Sequence, residues 1–141
     1  MTARLFRLAG VVIASIVMSL VLLIGVELFS SVVHPFPPGF EGTQEEVCDH
    51  VSRYPNWVLA AVVPMWGGIA FLGTWLSGKL GNRTCAAIVG SLIASALICN
   101  ITMLPYPLWF KIVQPAVLLM AILCSSWLLN LHPSVGRATT A

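Results

Sequence analysis

Charged residues are scarce in this chain. Only 9% of its 141 residues are charged, whereas 58% are hydrophobic, and a soluble domain carries about 25% charged residues. The chain therefore has too little polar surface to cover a soluble globule, so we expect an integral membrane protein in contact with the lipid bilayer. A net charge of only +2 gives no electrostatic support for a nucleic-acid partner.

Motifs for catalysis and metal binding are also missing. The sequence contains no P-loop, GxSxG, HExxH, EF-hand or GxGxxG pattern and no internal repeat. Its four cysteines, Cys48, Cys85, Cys99 and Cys124, form no C-x-x-C pair. We therefore predict no metal site and no cofactor. The sequence leaves open whether Cys48 forms a disulfide.

Four long apolar segments are separated by charged or proline-rich stretches. About 20 apolar residues cross the hydrocarbon core, and lipid forces them into helices, which we predict near residues 8–32, 57–77, 84–104 and 108–131. The first segment exceeds the about 7–15 residues of a signal-peptide core and lacks an A-x-A-like site, so we expect it to be retained. The chain, 1–141, is thus predicted to be one all-α membrane domain, a four-helix antiparallel bundle.

The distribution of Lys and Arg predicts the orientation. Cytoplasmic loops of membrane proteins carry more Lys and Arg than outer loops. One side of the predicted bundle holds five of the seven basic residues, namely Arg4, Arg7, Lys79, Arg83 and Arg137, and the other side holds Arg53 and Lys111. We therefore expect both termini in the cytoplasm of a bacterial cell and the loop 33–56 outside its inner membrane.

The stretch "HPFPPG" at 34–39 explains how the first span ends. Proline lacks an N–H and disfavours helical geometry in the residue before it, so the helix stops and the chain turns at Gly39. Thr43 and Glu46 then match an S/T-x-x-E capping box. The sequence predicts a short amphipathic helix over about 44–53 on the outer surface, ended by Pro55.

Two proline–aromatic turns carry a family resemblance. The chain reads "VELFSSVVHPFPPGF" at the end of span one and "NITMLPYPLWFKIV" before span four. This ordered set resembles a family of small uncharacterised bacterial inner-membrane proteins with four spans, a P-x-P-P-G turn and a P-H-P-x-W turn. The resemblance implies the four-span fold and brings no established activity. Tyr106 stands where that family has a histidine.

Four polar side chains fall at similar predicted depth near the outer ends of three spans. They are Glu27, Asn100, Lys111 and Gln114. A carboxylate inside a span is costly, and Lys111 is the natural ion partner for Glu27. This layer is either a small polar pocket for a headgroup, quinone, ion or proton, or structural glue that fixes helix packing.

The outer cap offers a second candidate site, formed by His34, Tyr106 and Trp109. A histidine can act as an acid, base or ligand, and His50 on the short helix could approach His34. The alternative is an interfacial histidine that caps helix carbonyls, with aromatic rings that anchor the span ends at headgroup level.

Small residues at i, i+4 spacing form two predicted packing faces. The first comprises Gly73, Ser77 and Gly81, and the second Ala86, Gly90 and Ala94. Small-xxx-small faces let helices approach closely in lipid, within one chain or between chains. The faces could therefore serve a homo-oligomer or a membrane-protein partner.

Three functions remain open from the sequence. The first is a non-enzymatic assembly or accessory subunit that uses the small-residue faces and the outer cap. The second is a small transporter or channel unit that uses the Glu27 layer. The third is a lipid- or quinone-binding membrane protein or enzyme that uses Glu27 and His34. The sequence favours the first, and it favours a protein without enzymatic activity.

Overall fold

The computed structural model describes residues 2–131, which contain five helices and no strand. The helices are α1 (Thr2–Val33), α2 (Gln44–Ser52), α3 (Asn56–Leu80), α4 (Arg83–Met103) and α5 (Leu108–Leu131). All except α2 are long and apolar enough to cross a membrane. This confirms the prediction of an all-helical chain with four span-length apolar helices. Arg137 and the rest of the C-terminal tail lie outside the described residues.

Helix α1 begins earlier than predicted, at Thr2 rather than near residue 8. Arg4 and Arg7 continue the helix because arginine is a good helix former. At 1.5 Å per residue, the 32 residues of α1 extend over about 48 Å, which exceeds a hydrocarbon core of about 30 Å. The N-terminal turns therefore project beyond the apolar zone, and both arginines are exposed.

Helix α3 lies at the centre of the bundle. It packs against α1, α4 and α5, while α1 and α5 make no close backbone approach to each other. A Cβ on Gly73 would lie 2.7 Å from Ser19 Oγ of α1 and 3.2 Å from Ile93 Cδ1 of α4. A Cβ on Gly67 would lie 3.0 Å from Val117 Cγ1 of α5. Glycine at these positions is what lets the helices approach so closely.

Both predicted small-residue faces are used inside this chain. Four of the six residues are buried: Gly73, Ser77, Ala86 and Gly90. The other two, Gly81 and Ala94, are half-buried. A Cβ on Gly90 would meet Thr74 Oγ1 of α3 at 3.3 Å and Ile122 Cγ2 of α5 at 3.5 Å. A second chain could reach these faces only by displacing helices of the first.

The segment 34–55, which we call the cap, covers one end of the bundle. The helical pattern ends as predicted at the proline stretch, where His34 N donates to Ser30 O at 2.8 Å. The chain turns at Gly39 and again at Gly42, which have φ angles of 82° and 79°. These angles strain any residue with a Cβ. Helix α2 follows.

The capping box at the start of α2 is present as predicted. Glu46 N donates to Thr43 Oγ1 at 3.3 Å, and Thr43 N donates to Glu46 Oε2 at 3.0 Å. The two residues thus satisfy each other's free backbone donors, which fixes where α2 begins. The backbone hydrogen bond from Thr43, above all, lowers the pKa of the Glu46 carboxyl, so this side chain is an acceptor at neutral pH.

Candidate functional site

Aromatic rings of the cap form a continuous stack with two histidines in its centre. The ring centroids of Phe40 and Phe36 lie 4.3 Å apart, those of Phe36 and His50 4.5 Å, and those of His50 and His34 4.4 Å. The Tyr54 ring is tilted against His34 at 4.7 Å. The proximity of His34 and His50 that the sequence suggested is therefore present, and the stack joins α2 to the end of α1.

The histidine pair is buried within the ring stack. His50 is only 6% exposed, and among residues 2–131 the buried Nε2 atoms of both rings have no hydrogen-bond partner. Burial has the largest effect on the pKa of His50 and lowers it. The nearby His34 lowers this pKa further, and Asp49 has a smaller, opposing effect. His50 is thus neutral at pH 7. Within residues 2–131, no three potential metal ligands lie together.

A cavity of about 190 Å³ lies next to this stack, and we call it the cap cavity. Its polar lining comes from α1, α4, the cap and the turn before α5. These polar residues are Glu27, Ser30, His50, Tyr54, Asn100 and Tyr106. Deeper in the bundle the wall is apolar, and Trp66 lies ten residues into α3, about 15 Å below the helix start. The cavity therefore extends from the cap toward mid-span.

Glu27 stands at the mouth of the cap cavity. Its side chain lines the cavity, yet the residue is also exposed on the surface of α1. Among residues 2–131 it forms no ion pair; the ion pair present there joins Arg53 to Asp49. A carboxylate at the edge of a mainly apolar cavity is costly, which marks Glu27 as a candidate site residue.

The predicted Glu27–Lys111 ion pair is not formed. Lys111 does not line the cap cavity, and its helix α5 makes no close backbone approach to α1, which carries Glu27. Gln114 of α5 is also separate. It is fully buried at 0% exposure, and its amide N and O atoms have no hydrogen-bond partner in the described chain. Of the predicted polar layer, the structure brings Glu27 and Asn100 together.

Two tyrosine hydroxyls supply uncharged polar groups to the cavity. Burial raises the pKa of Tyr106 to about 12, with smaller contributions from Tyr54 and Glu27, and an interaction with Asn100 opposes the rise. Burial also raises the pKa of Tyr54, and the Glu27 charge adds to that effect. Both phenols are protonated at neutral pH and can donate hydrogen bonds. Both tyrosines line the same cavity as Glu27.

The remaining predicted cap residues have different positions. Trp109 does not line the cavity; its Nε1 donates to Asn56 Oδ1 at 3.2 Å and so ties the first turn of α5 to the first turn of α3. His34 belongs to the ring stack and is also absent from the cavity wall. The candidate outer-cap site of His34, Tyr106 and Trp109 is therefore divided, and only Tyr106 reaches the cavity.

A second cavity, of about 260 Å³, lies at the other end of the bundle. Its lining includes Thr74 of α3 and Arg83 of α4, whose guanidinium donates to Asn130 of α5. On α3, Trp66 lines the cap cavity and Thr74 lines the second cavity, and the two residues lie about 12 Å apart along the helix. Ile69 and Ala70 are buried between them, at 4% and 0% exposure, so packed side chains separate the two cavities.

Sequence reasoning missed Ser30, Trp66 and Leu97 as cavity residues. The signal that could have found them is helical spacing: Ser30 follows Glu27 by three residues, and Leu97 precedes Asn100 by three. Residues three apart share a helix face.

No family model, curated protein or solved structure matches this chain. The site must therefore be interpreted from its own geometry.

Proposed function

We propose that this chain is a non-enzymatic membrane protein that binds the polar head of a small molecule or lipid in the cap cavity. The observation that supports this most is the convergence of polar groups from four separate segments on one cavity. Glu27 comes from α1, Asn100 from α4, His50 from α2 and Tyr106 from the turn before α5. Concave, mostly apolar cavities with a few convergent polar groups are the usual form of ligand sites.

The proposal includes a topology. Contacts between helix ends support a four-span antiparallel bundle, since Trp109 near the start of α5 meets Asn56 at the start of α3. The Lys and Arg distribution supports cytoplasmic termini in a bacterial inner membrane, with the cap and an amphipathic α2 on the outer side. The two proline turns resemble those of a four-span family, which supports the number of spans. The cap cavity then opens at the outer leaflet.

Binding is favoured over conduction by the packing between the cavities. A channel needs a continuous polar path, whereas buried Ile69 and Ala70 separate the two cavities on α3. Assembly with itself or another membrane protein is the second candidate. Since the small-residue faces are occupied within the chain, a partner would contact the exposed apolar sides of α1 and α5, where Val21 and Leu119 are 61% and 57% exposed.

The test compares the molecules that copurify with a wild-type and a filled cavity. Val62 is on the cavity wall at 8% exposure, so Val62→Phe should occupy part of the space. Val113 of α5 is 39% exposed and away from the wall, so Val113→Phe is the matched control. All three proteins are extracted from membranes in polymer-bounded discs without detergent, and their small molecules are identified by mass spectrometry.

The expected result is one class of molecule enriched with the wild type and with Val113→Phe, and depleted with Val62→Phe. Circular dichroism checks that all three proteins have the same helix content. Identical small-molecule composition in the three samples would contradict the proposed function. It would leave assembly as the better account, to be pursued by crosslinking through α1 and α5.

A further inference from the structure

We propose that the head group recognised by the cap cavity is an organic ammonium group with a single positive charge. This inference rests on the proposed function and specifies its ligand. It follows from three properties of the cavity: the sign of its charge, the nature of its walls and its size.

The cavity wall carries negative charge only. Glu27 is its one Asp or Glu, and no Lys or Arg of the described chain lines it. His50 is neutral at pH 7 because burial lowers its pKa, and the two tyrosines are protonated. A monocation would therefore neutralise the site. A phosphate or carboxylate would instead meet an unpaired carboxylate.

The walls suit an organic cation better than a metal ion. Besides the carboxylate, five aromatic side chains outside the centre of the ring stack line the cavity: Phe40, Tyr54, Trp66, Tyr106 and Phe110. Phe36 and His50 also line it, but neighbouring rings stack against both of their faces. Aromatic faces attract Lys-like and quaternary ammonium groups, most strongly when water is excluded. Calcium sites usually contain several carboxylates, whereas Glu27 is the one Asp or Glu on this wall, and no three potential metal ligands lie together within residues 2–131.

A quinone head is also a weaker fit. Its carbonyl oxygens accept hydrogen bonds, and the Glu27 carboxylate at the cavity mouth is itself an acceptor. Tyr106 and Asn100 could donate to such a carbonyl, but Glu27 would then stay without a partner. An ammonium group gives Glu27 a counter-ion and can lie against the rings, so it satisfies the whole lining.

The size of the cavity indicates a head group rather than an entire molecule. Sites for drug-sized ligands measure about 300–1,000 Å³, whereas this cavity measures about 190 Å³. Glu27 is exposed on α1 at the cavity mouth. A hydrophobic tail attached to the ammonium group could therefore leave beside Glu27 and remain in the bilayer. Free small amines and amine-bearing lipids share this chemistry.

The experiment compares a cation with its uncharged isostere. Choline and 3,3-dimethyl-1-butanol have nearly the same shape, and only choline is charged. Each is titrated against the full chain in maltoside micelles, which contain no ammonium group, with saturation-transfer NMR as the readout. The variants are Glu27→Gln, which removes the cavity charge, and Glu45→Gln on exposed α2, which removes a carboxylate that does not line the cavity.

We expect choline to bind the wild type and Glu45→Gln roughly ten-fold or more tightly than the alcohol, with that preference lost in Glu27→Gln. Equal affinity for the two probes would overturn the ammonium assignment and leave the proposed binding function intact. Binding of neither probe would also overturn the assignment, and the copurification comparison would decide the broader function separately. If Glu27→Gln still binds choline more tightly than the alcohol, another group recognises the positive charge, and the proposed role of the cap cavity is wrong.

The source of the ammonium group is resolved by lipid composition. The choline titration is repeated in discs of phosphatidylethanolamine and in discs of digalactosyldiacylglycerol, a lipid with no net charge and no ammonium group. Weaker choline binding in phosphatidylethanolamine supports a lipid head group as the natural occupant, because that head group competes for the cavity. Equal binding in the two lipids supports a free amine. Choline binding that is absent in both lipids would overturn the assignment in a bilayer.

Discussion

Gly73 lies where α3 touches both α1 and α4, and Gly73→Ala should therefore destabilise the bundle. The added Cβ would come within 2.7 Å of Ser19 Oγ and 3.2 Å of Ile93 Cδ1. Ser19 is buried at 3% exposure, and its hydroxyl donates to Ser15 O at 2.9 Å. Ser19 can rotate away only by giving up that hydrogen bond, so either the hydrogen bond is lost or the helices move apart.

The magnitude follows from comparison with Gly68→Ala on the same helix. A Cβ on Gly68 would meet nothing within 4 Å, so this control gains only the helix propensity of alanine, about 1 kcal/mol. Gly73→Ala has the same gain plus an overpacking cost of about 1–3 kcal/mol. We therefore expect the free energy of unfolding of Gly73→Ala to lie about 1–3 kcal/mol below that of Gly68→Ala.

The assay is denaturation in mixed micelles, with helix content followed by circular dichroism. Ser19→Gly should partly restore Gly73→Ala, because it removes the nearest atom, and the coupling energy between neighbouring sites is about 0.5–3 kcal/mol. If Gly73→Ala and Gly68→Ala agree to within about 0.5 kcal/mol, then α1 does not pack on α3 as described, and the reasoning is refuted.

Three further predictions concern the cap. Because burial lowers the pKa of His50, the folded cap binds fewer protons than the unfolded cap does. The stability of the folded cap is therefore greatest above about pH 6.5 and decreases as the pH falls below that value. Cap opening measured by amide exchange of α2 should therefore increase at acidic pH in the wild type, and His50→Phe should remove most of this pH dependence. The same pH dependence in the wild type and in His50→Phe would contradict the prediction. Thr43→Ala should destabilise α2 by about 1 kcal/mol, measured as faster amide exchange in Gln44–Ser52 but not in α4; unchanged exchange would show that the cap does not need the capping box. A membrane-impermeant maleimide added to intact cells should label half-buried Cys48, a free thiol in the structure, and Cys48→Ser should abolish labelling; labelling only after lysis would reverse the proposed orientation.

The four spans and the start of α2 could be predicted because strong local constraints determine them. Lipid offers no partner for a free backbone N–H, so each long apolar run must be helical. Prolines end α1 at Val33, and the Thr43–Glu46 pair begins α2. The start of α1 at Thr2 differs from the prediction because charged residues such as Arg4 and Arg7 limit the apolar segment but not the helix, which can continue beyond the bilayer.

The candidate site could be predicted only in part, because depth along a helix does not determine which helices are neighbours. Glu27 and Lys111 have similar predicted depth, yet their helices α1 and α5 make no close backbone approach. Glu27 and Asn100 line one cavity because α1 and α4 both border the cap cavity at that level. The contribution of Trp66 required knowledge that α3 is the central helix, and such lateral order depends on packing of the whole bundle rather than on any local pattern.

The most direct test of the central claim is to ask what lies against Leu97 in the membrane. Leu97 is on the cap-cavity wall at 2% exposure, and Leu118 is equally buried at 3% but away from that wall. Each is replaced by a diazirine analogue of leucine, membranes are irradiated, and adducts are identified by mass spectrometry. Our account predicts a small-molecule or lipid adduct at position 97 and only crosslinks within the chain at position 118. Crosslinks within the chain alone at both positions would contradict it.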